Sequence, residues 1–129
     1  MDLPDPEAPT TAIGGNFGAS ISAIANRAVI GEPHSATAGG AAYVFNLDYT
    51  QSGRWAQTRM LRSTAAGVSE FGAAVSISGL GIAVGSPDSD DGNGRVDVFE
   101  DRTALPWVHA KALLPEKIEG LGFGTSISL

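Results

Sequence analysis

Two stretches of this chain match landmark for landmark. Residues 17–45 read FGASISAIANRAVIGEPHSATAGGAAYVF, and residues 71–99 read FGAAVSISGLGIAVGSPDSDDGNGRVDVF. Each opens on Phe-Gly, reaches a Gly-x-Pro fourteen residues on (Gly31 to Pro33, Gly85 to Pro87) and closes on Val-Phe fourteen later (Phe45, Phe99). A Trp follows (Trp55, Trp107), then a Leu six residues beyond it (Leu61, Leu113), then another Phe-Gly after ten more (Phe71, Phe123). Only the Phe-to-Trp gap differs, by two residues. The chain is a repeat array with a period of about 52 to 54 residues, and a period of that size limits the fold to solenoids, propellers or similar arrays.

The repeat unit reads as strands. In the first, residues 18–24 are small and apolar, Ala28 to Ile30 form a short run ending at Gly31-Glu32-Pro33, Ala41 to Phe45 is β-prone, and Trp55 to Leu61 alternates. Four short runs bounded by Gly, Pro, Asn and Ser are the pattern of an all-β unit. In the second, Val75 and Ile77 point one way and Ser76 and Ser78 the other. Gly79-Leu80-Gly81 makes a tight hairpin, Asp91-Gly92 and Asn93-Gly94 are turn dipeptides, and Val96 and Val98 alternate with Asp97 and Phe99. Seventeen Gly and no sustained 3.6-residue period leave no stretch of about a dozen residues able to hold a helix. Four-stranded units at this period suggest propeller blades, small twisted antiparallel sheets arranged radially. The expected organisation is a linker or tail of a preceding repeat at 1–16, blades at 17–70 and 71–122, and the first strand of a further blade at 123–129.

Composition narrows the partners. Eight Lys and Arg against fourteen Asp and Glu give a net charge of −6 with no cationic cluster, which argues against nucleic acid. Cysteine is absent, so disulfides and thiolate metal sites are excluded. No apolar run approaches the roughly 18 residues of a membrane span, so no membrane insertion is expected. MDLPDPEAPTTAIGGN, the first sixteen residues, has neither the basic nor the apolar region of a secretion signal.

Taken together, these landmarks resemble the FG-GAP repeat, the blade unit of the seven-bladed propeller in integrin α-subunit heads and in many bacterial extracellular proteins. Phe17-Gly18, Phe71-Gly72 and Phe123-Gly124 match its FG element, and Gly31-Glu32-Pro33 and Gly85-Ser86-Pro87 its GAP element, with Glu32 and Ser86 in place of the usual Ala. Ala42-Tyr43-Val44-Phe45 is similar to the family's third strand and Trp55-Ala56-Gln57 to its fourth. The resemblance spans residues 17–129. It implies an extracellular or cell-surface setting and loops that recognise protein or glycan ligands.

Two departures matter. Calcium-bearing blades of the family carry an Asp-rich loop between the first two strands, whereas Ala25-Asn26-Arg27 and Gly79-Leu80-Gly81 hold no carboxylate, so no calcium or other cofactor is expected there. Two blades and a strand also cannot close a ring that typically needs four or more. The chain is expected either to belong with more blades of the same polypeptide, the favoured reading, or to close by self-association.

Asp88-Ser89-Asp90-Asp91-Gly92 is the most chemically suggestive stretch. Carboxylates two apart followed by Gly evoke a calcium loop, but Gly falls at the fifth place rather than the sixth and Phe99 stands where the twelfth-place Glu belongs. The segment reads as a solvated acidic turn. The resemblance places it on the ligand face together with Glu32 to Gly40, making Glu32, His34, Asp88, Asp90 and Asp91 the candidate contacts for a partner. His34 and His109 lie at different landmarks with no ligand-spaced neighbour and read as surface or loop residues. Trp55 and Trp107 recur at one landmark and read as packing between blades, as does each Phe of the Phe-Gly pairs. No nucleophile–base constellation recurs, so no catalysis is expected. The expected function is a non-catalytic binding or adhesion module; the alternatives are an accessory propeller domain of a larger extracellular enzyme and a purely structural scaffold.

Overall fold

Strand-forming runs alternate with Gly-rich punctuation along the chain, and the fold follows that punctuation. The computed structural model describes residues 15–34, 39–51, 53–63, 65, 68–102, 107–115 and 122–129. Among these residues eight strands form two four-stranded antiparallel sheets, each in sequence order. The first contains β1 (Ser20–Ile24), β2 (Arg27–Glu32), β3 (Ala41–Asp48) and β4 (Arg54–Leu61). The second contains β5 (Ala74–Ser78), β6 (Gly81–Ser86), β7 (Arg95–Glu100) and β8 (Val108–Leu113). Helical structure among the described residues is one 3-10 turn, Tyr49–Gln51, and one α-helical turn, α1 (Ser89–Gly92). The expected linker at 1–16 lies, up to residue 14, outside the described residues.

The sheets repeat each other in detail. Two-residue hairpin loops join β1 to β2 at Ala25-Asn26 and β5 to β6 at Gly79-Leu80, the first loop residue at positive φ in both (50° and 45°). A register shift sits between Val44 and Phe45 in one sheet and between Val98 and Phe99 in the other. Each passes over one residue of the outer strand, a bulge that sharpens local twist.

Three β-turns explain the Phe-Gly pairs. Ala19 N donates to Asn16 O (3.0 Å), Ala73 N to Glu70 O (3.0 Å) and Thr125 N to Gly122 O (3.1 Å). Phe is the second residue of each turn and Gly the third, at φ 92°, 101° and 94°. The third position of a type II turn requires positive φ, which only glycine adopts without strain.

β5 lies against β1 and β2, and a core fills the space between the sheets. Val29, Ala42, Val44 and Leu61 line one side; Val75, Ile77, Ile82, Val84, Phe99 and Trp107 line the other, with Phe71 buried among them. Phe71 meets Phe99 edge-on at 6.1 Å, as Phe17 meets Phe45 at 6.4 Å on the opposite face of the first sheet. Edge-to-face pairs of this kind add about 0.5–1.5 kcal/mol to the burial of their area.

Backbone contacts bind successive repeats. A β-carbon on Gly31 would overlap the carbonyl oxygen of Gly72, and one on Gly85 that of Gly124. Phe71 N donates to Gly39 O (2.7 Å), Ser20 Oγ to Gly72 O (2.8 Å) and Ile77 N to Ser22 Oγ (3.1 Å). Residues 123–129 reproduce this pattern on the second sheet: Phe123 N donates to Asn93 O (3.0 Å) and Leu129 N to Ser76 Oγ (3.0 Å). Among the described residues they have no antiparallel partner, and their one bridge is the parallel pairing of Phe123 with Gly94.

Three local expectations are revised. The β6–β7 connection spans residues 87–94, too long for the two-residue hairpin its turn dipeptides suggest, and it winds into α1, with Gly94 N bonded to Ser89 O at 2.9 Å. Ser76 is buried like its neighbours Val75 and Ile77, because the 123–129 segment covers the other side of β5. Trp55 is 47% exposed whereas Trp107 is 4% exposed. Trp107 lies under Arg27 of the first sheet, 5.5 Å from its ring, and no described sheet precedes the first to cover Trp55 in the same way.

Candidate functional site

The connections β2–β3 and β6–β7 leave the sheets at the end where β4 runs towards β5, so residues 33–34, 39–40, 68–73 and 87–94 share one loop-rich end. Strand polarity enforces this, because antiparallel strands in sequence order bring alternate connections to the same edge. Ser89 Oγ ties two of these loops, accepting from Ser69 N (2.9 Å) and donating to Ser69 O (3.2 Å).

The five candidate contacts do not behave alike. Glu32 is not on a displayed loop: it is the last residue of β2 and fully buried. Alternation from Ile30 turns it inward, and Tyr43 Oη donates to its Oε1 at 3.5 Å, a long contact, while Oε2 has no hydrogen-bond partner. Ser86, at the same place in the second sheet, is likewise buried with an unpartnered hydroxyl. The middle residue of Gly-x-Pro is thus an inward position in both sheets. His34 is exposed, its backbone N donating to Gly15 O (3.0 Å) and its Nε2 lying 3.9 Å from Glu70 Oε1. A pair this exposed contributes little stability. Asp88 is exposed. Asp90 and Asp91 lie in α1, and their side chains are outside what the structure describes.

A second cluster was not legible in the sequence. Asp97 is fully buried on β7. Arg95 Nε lies 3.1 Å from both of its oxygens, Arg95 Nη2 is 2.9 Å from Oδ1, and His109 Nε2 is 2.8 Å from Oδ1. His109 is therefore an exposed residue of β8, at the surface as expected but on a strand rather than a loop, and it has a carboxylate partner. The bulge places it opposite Phe99, against whose ring it packs edge-on at 5.3 Å. No signal short of the β7–β8 register could have paired residues twelve apart. An Asp–His pair orients the base in hydrolytic triads, but a third group, a hydroxyl or thiol nucleophile, must reach the imidazole. Among the described residues no such group hydrogen-bonds to His109. With Arg95 occupying both carboxylate oxygens, the cluster works as a buried tie between β7 and β8.

The opposite end is built from the hairpins. Arg27 reaches across the sheets, donating to Gly79 O at 3.3 Å and pairing with Asp101 at 3.1 Å. Ile24, Ala25, Asn26, Arg27, Gly79 and Leu80 line a shallow open groove of about 310 Å³. Among the described residues no three His, Asp or Glu side chains gather as a metal site, and no helix is long and apolar enough to cross a membrane. No protein-family model matches the chain, and no curated protein matches it significantly.

Proposed function

We propose that the chain is a segment of an FG-GAP-type β-propeller, each sheet a blade, acting as a non-catalytic module that binds a protein or glycan through its loop-rich end. The observation that carries this reading is the reciprocity of its two signatures. Every Phe-Gly turn after the first seats its glycine against the Gly-x-Pro glycine of the preceding repeat, so the motif is the joint of an array. The joint is made at the loop-rich end, where the β2–β3 and β6–β7 connections carry the exposed His34 and Asp88, and the β4–β5 connection brings Glu70 beside His34. Inward positions such as Glu32 and Ser86 serve packing, which leaves recognition to the exposed residues of the loops.

The acidic run Asp88 to Asp91 makes a cationic partner surface the best chemical match, in an extracellular or cell-surface setting. Titration calorimetry with a Lys- and Arg-rich peptide should show binding that weakens as salt rises. Replacement of Asp88, Asp90 and Asp91 together by Ala should abolish it. Binding that survives the triple replacement, or binding that changes on charge reversal at Arg27 in the hairpin at the opposite end, would remove the loop-rich end as the recognition surface.

A further inference from the structure

We infer that the far face of the second sheet is a seat for Phe17–Ala23 of a second copy of this chain, and that the chain's own Phe123–Leu129 holds that seat in cis. The inference rests on the repeat joint and not on the proposed ligand.

The seat is defined by use. Residues 71–77 dock on the first sheet through the carbonyl of Gly39, the backbone of Gly31 and the hydroxyl of Ser22. Residues 123–129 dock on the second through the carbonyl of Asn93, the backbone of Gly85 and the hydroxyl of Ser76, the equivalents one repeat on. The docked segment, FGTSISL, shares five of seven residues with FGASISA at 17–23 but only three with FGAAVSI at 71–77. The chain therefore carries two copies of one docking sequence.

Only one copy is used. Ile21 is 64% exposed where its equivalent Val75 is 7% exposed, and nothing lies within 4 Å of a β-carbon built on Gly18, whereas one on Gly72 would overlap Ala41. The seat itself is incompletely covered by the cis segment. Leu113 is 41% exposed, and Leu61, which stands at the same position under the second sheet, is 2% exposed. A second copy would bring its whole first sheet, covering Leu113 as the second sheet covers Leu61. The contact is head-to-tail, so it builds rings or open chains rather than a symmetric dimer. A tethered segment acts at roughly millimolar effective concentration, so the trans contact is suppressed until the cis segment leaves.

The test is light scattering over a concentration series, with circular dichroism on the same samples. Gly124→Val should eject the cis segment of the 129-residue chain, because Gly124 sits at φ 94° and a β-carbon there would stand 2.7 Å from the carbonyl of Arg95. Association should then begin at concentrations at least about tenfold lower than for the unsubstituted chain. Adding Ile21→Glu, at a position exposed in the monomer, should restore the monomer mass. A Gly124→Val chain with native strand signal that stays monomeric, or association indifferent to Ile21→Glu, overturns the inference. If Gly124→Val unfolds, the unsubstituted chain at millimolar concentration decides: mass growth that Ile21→Glu removes supports the seat, and identical masses in both chains refute it.

Discussion

Gly31 and Gly72 lie back to back across the two sheets, the carbonyl oxygen of Gly72 occupying the space a β-carbon on Gly31 would need. Gly31 O in turn accepts from Gly18 N, and Gly85 O from Gly72 N, both at 3.0 Å. One line of glycine backbone thus runs from repeat to repeat. It explains why the two motifs occur together: each supplies half of a joint that tolerates no side chain.

The joint can be separated from the turn it sits in. Gly18 and Gly72 have nearly the same φ, but only Gly72 faces a neighbouring sheet. Gly18→Ala should cost about 1–2 kcal/mol, the strain of a left-handed alanine. Gly72→Ala adds overlap with backbone that has no flexible end to give way, and should cost about 3 kcal/mol or more. Urea unfolding of the two variants measures the difference, and equal losses would mean the joint is not tight.

Ala25 holds a place that Gly79 fills in the second sheet. Both open a two-residue hairpin at positive φ, and Ala25 is exposed. Relief of the left-handed strain outweighs the entropy glycine adds to the unfolded chain, so Ala25→Gly should stabilise by about 0.5–1 kcal/mol. Thermal or urea melts should show the rise, and any loss would contradict the turn geometry.

The two tryptophans should respond oppositely. Trp107→Ala removes a buried ring and its contact with Arg27, and should cost about 3–5 kcal/mol. Trp55→Ala should cost about 1 kcal/mol or less. Acrylamide should quench fluorescence from Trp55 and spare Trp107, which can be read directly in the Trp55→Phe and Trp107→Phe variants.

Asp97 is a fully buried carboxylate whose removal should be costly. Asp97→Ala leaves Arg95, whose side chain is only 14% exposed, without its carboxylate, and such losses run to about 3–5 kcal/mol. His109→Ala should cost less, since its side chain keeps a third of its surface in water. A double-mutant cycle between Asp97 and His109, the pair that crosses from β7 to β8, should return a clear coupling, and additivity would show that the cluster is not a tie.

What this sequence determined alone is local and periodic. Phe-Gly at 17, 71 and 123 and Gly-x-Pro at 31 and 85 announced the repeat, and alternation in Val75–Ser78 and Trp55–Leu61 announced strands that the structure places at β5 and β4. These signals survive in sequence because turns and pleats constrain residues within a few positions of one another. The exposure of equivalent residues was decided elsewhere. Trp55 and Trp107 occupy one landmark, yet one is in water and the other under Arg27, because burial depends on whether another sheet lies opposite. Glu32 looked like a loop residue and is buried, because the strand runs one residue into the motif and its pleat turns the carboxylate inward. Asp97 and His109 met through the register of β7 and β8, including a bulge that moves every later residue by one place. Register and the stacking of sheets are contacts between distant residues, so the tertiary fold alone set them.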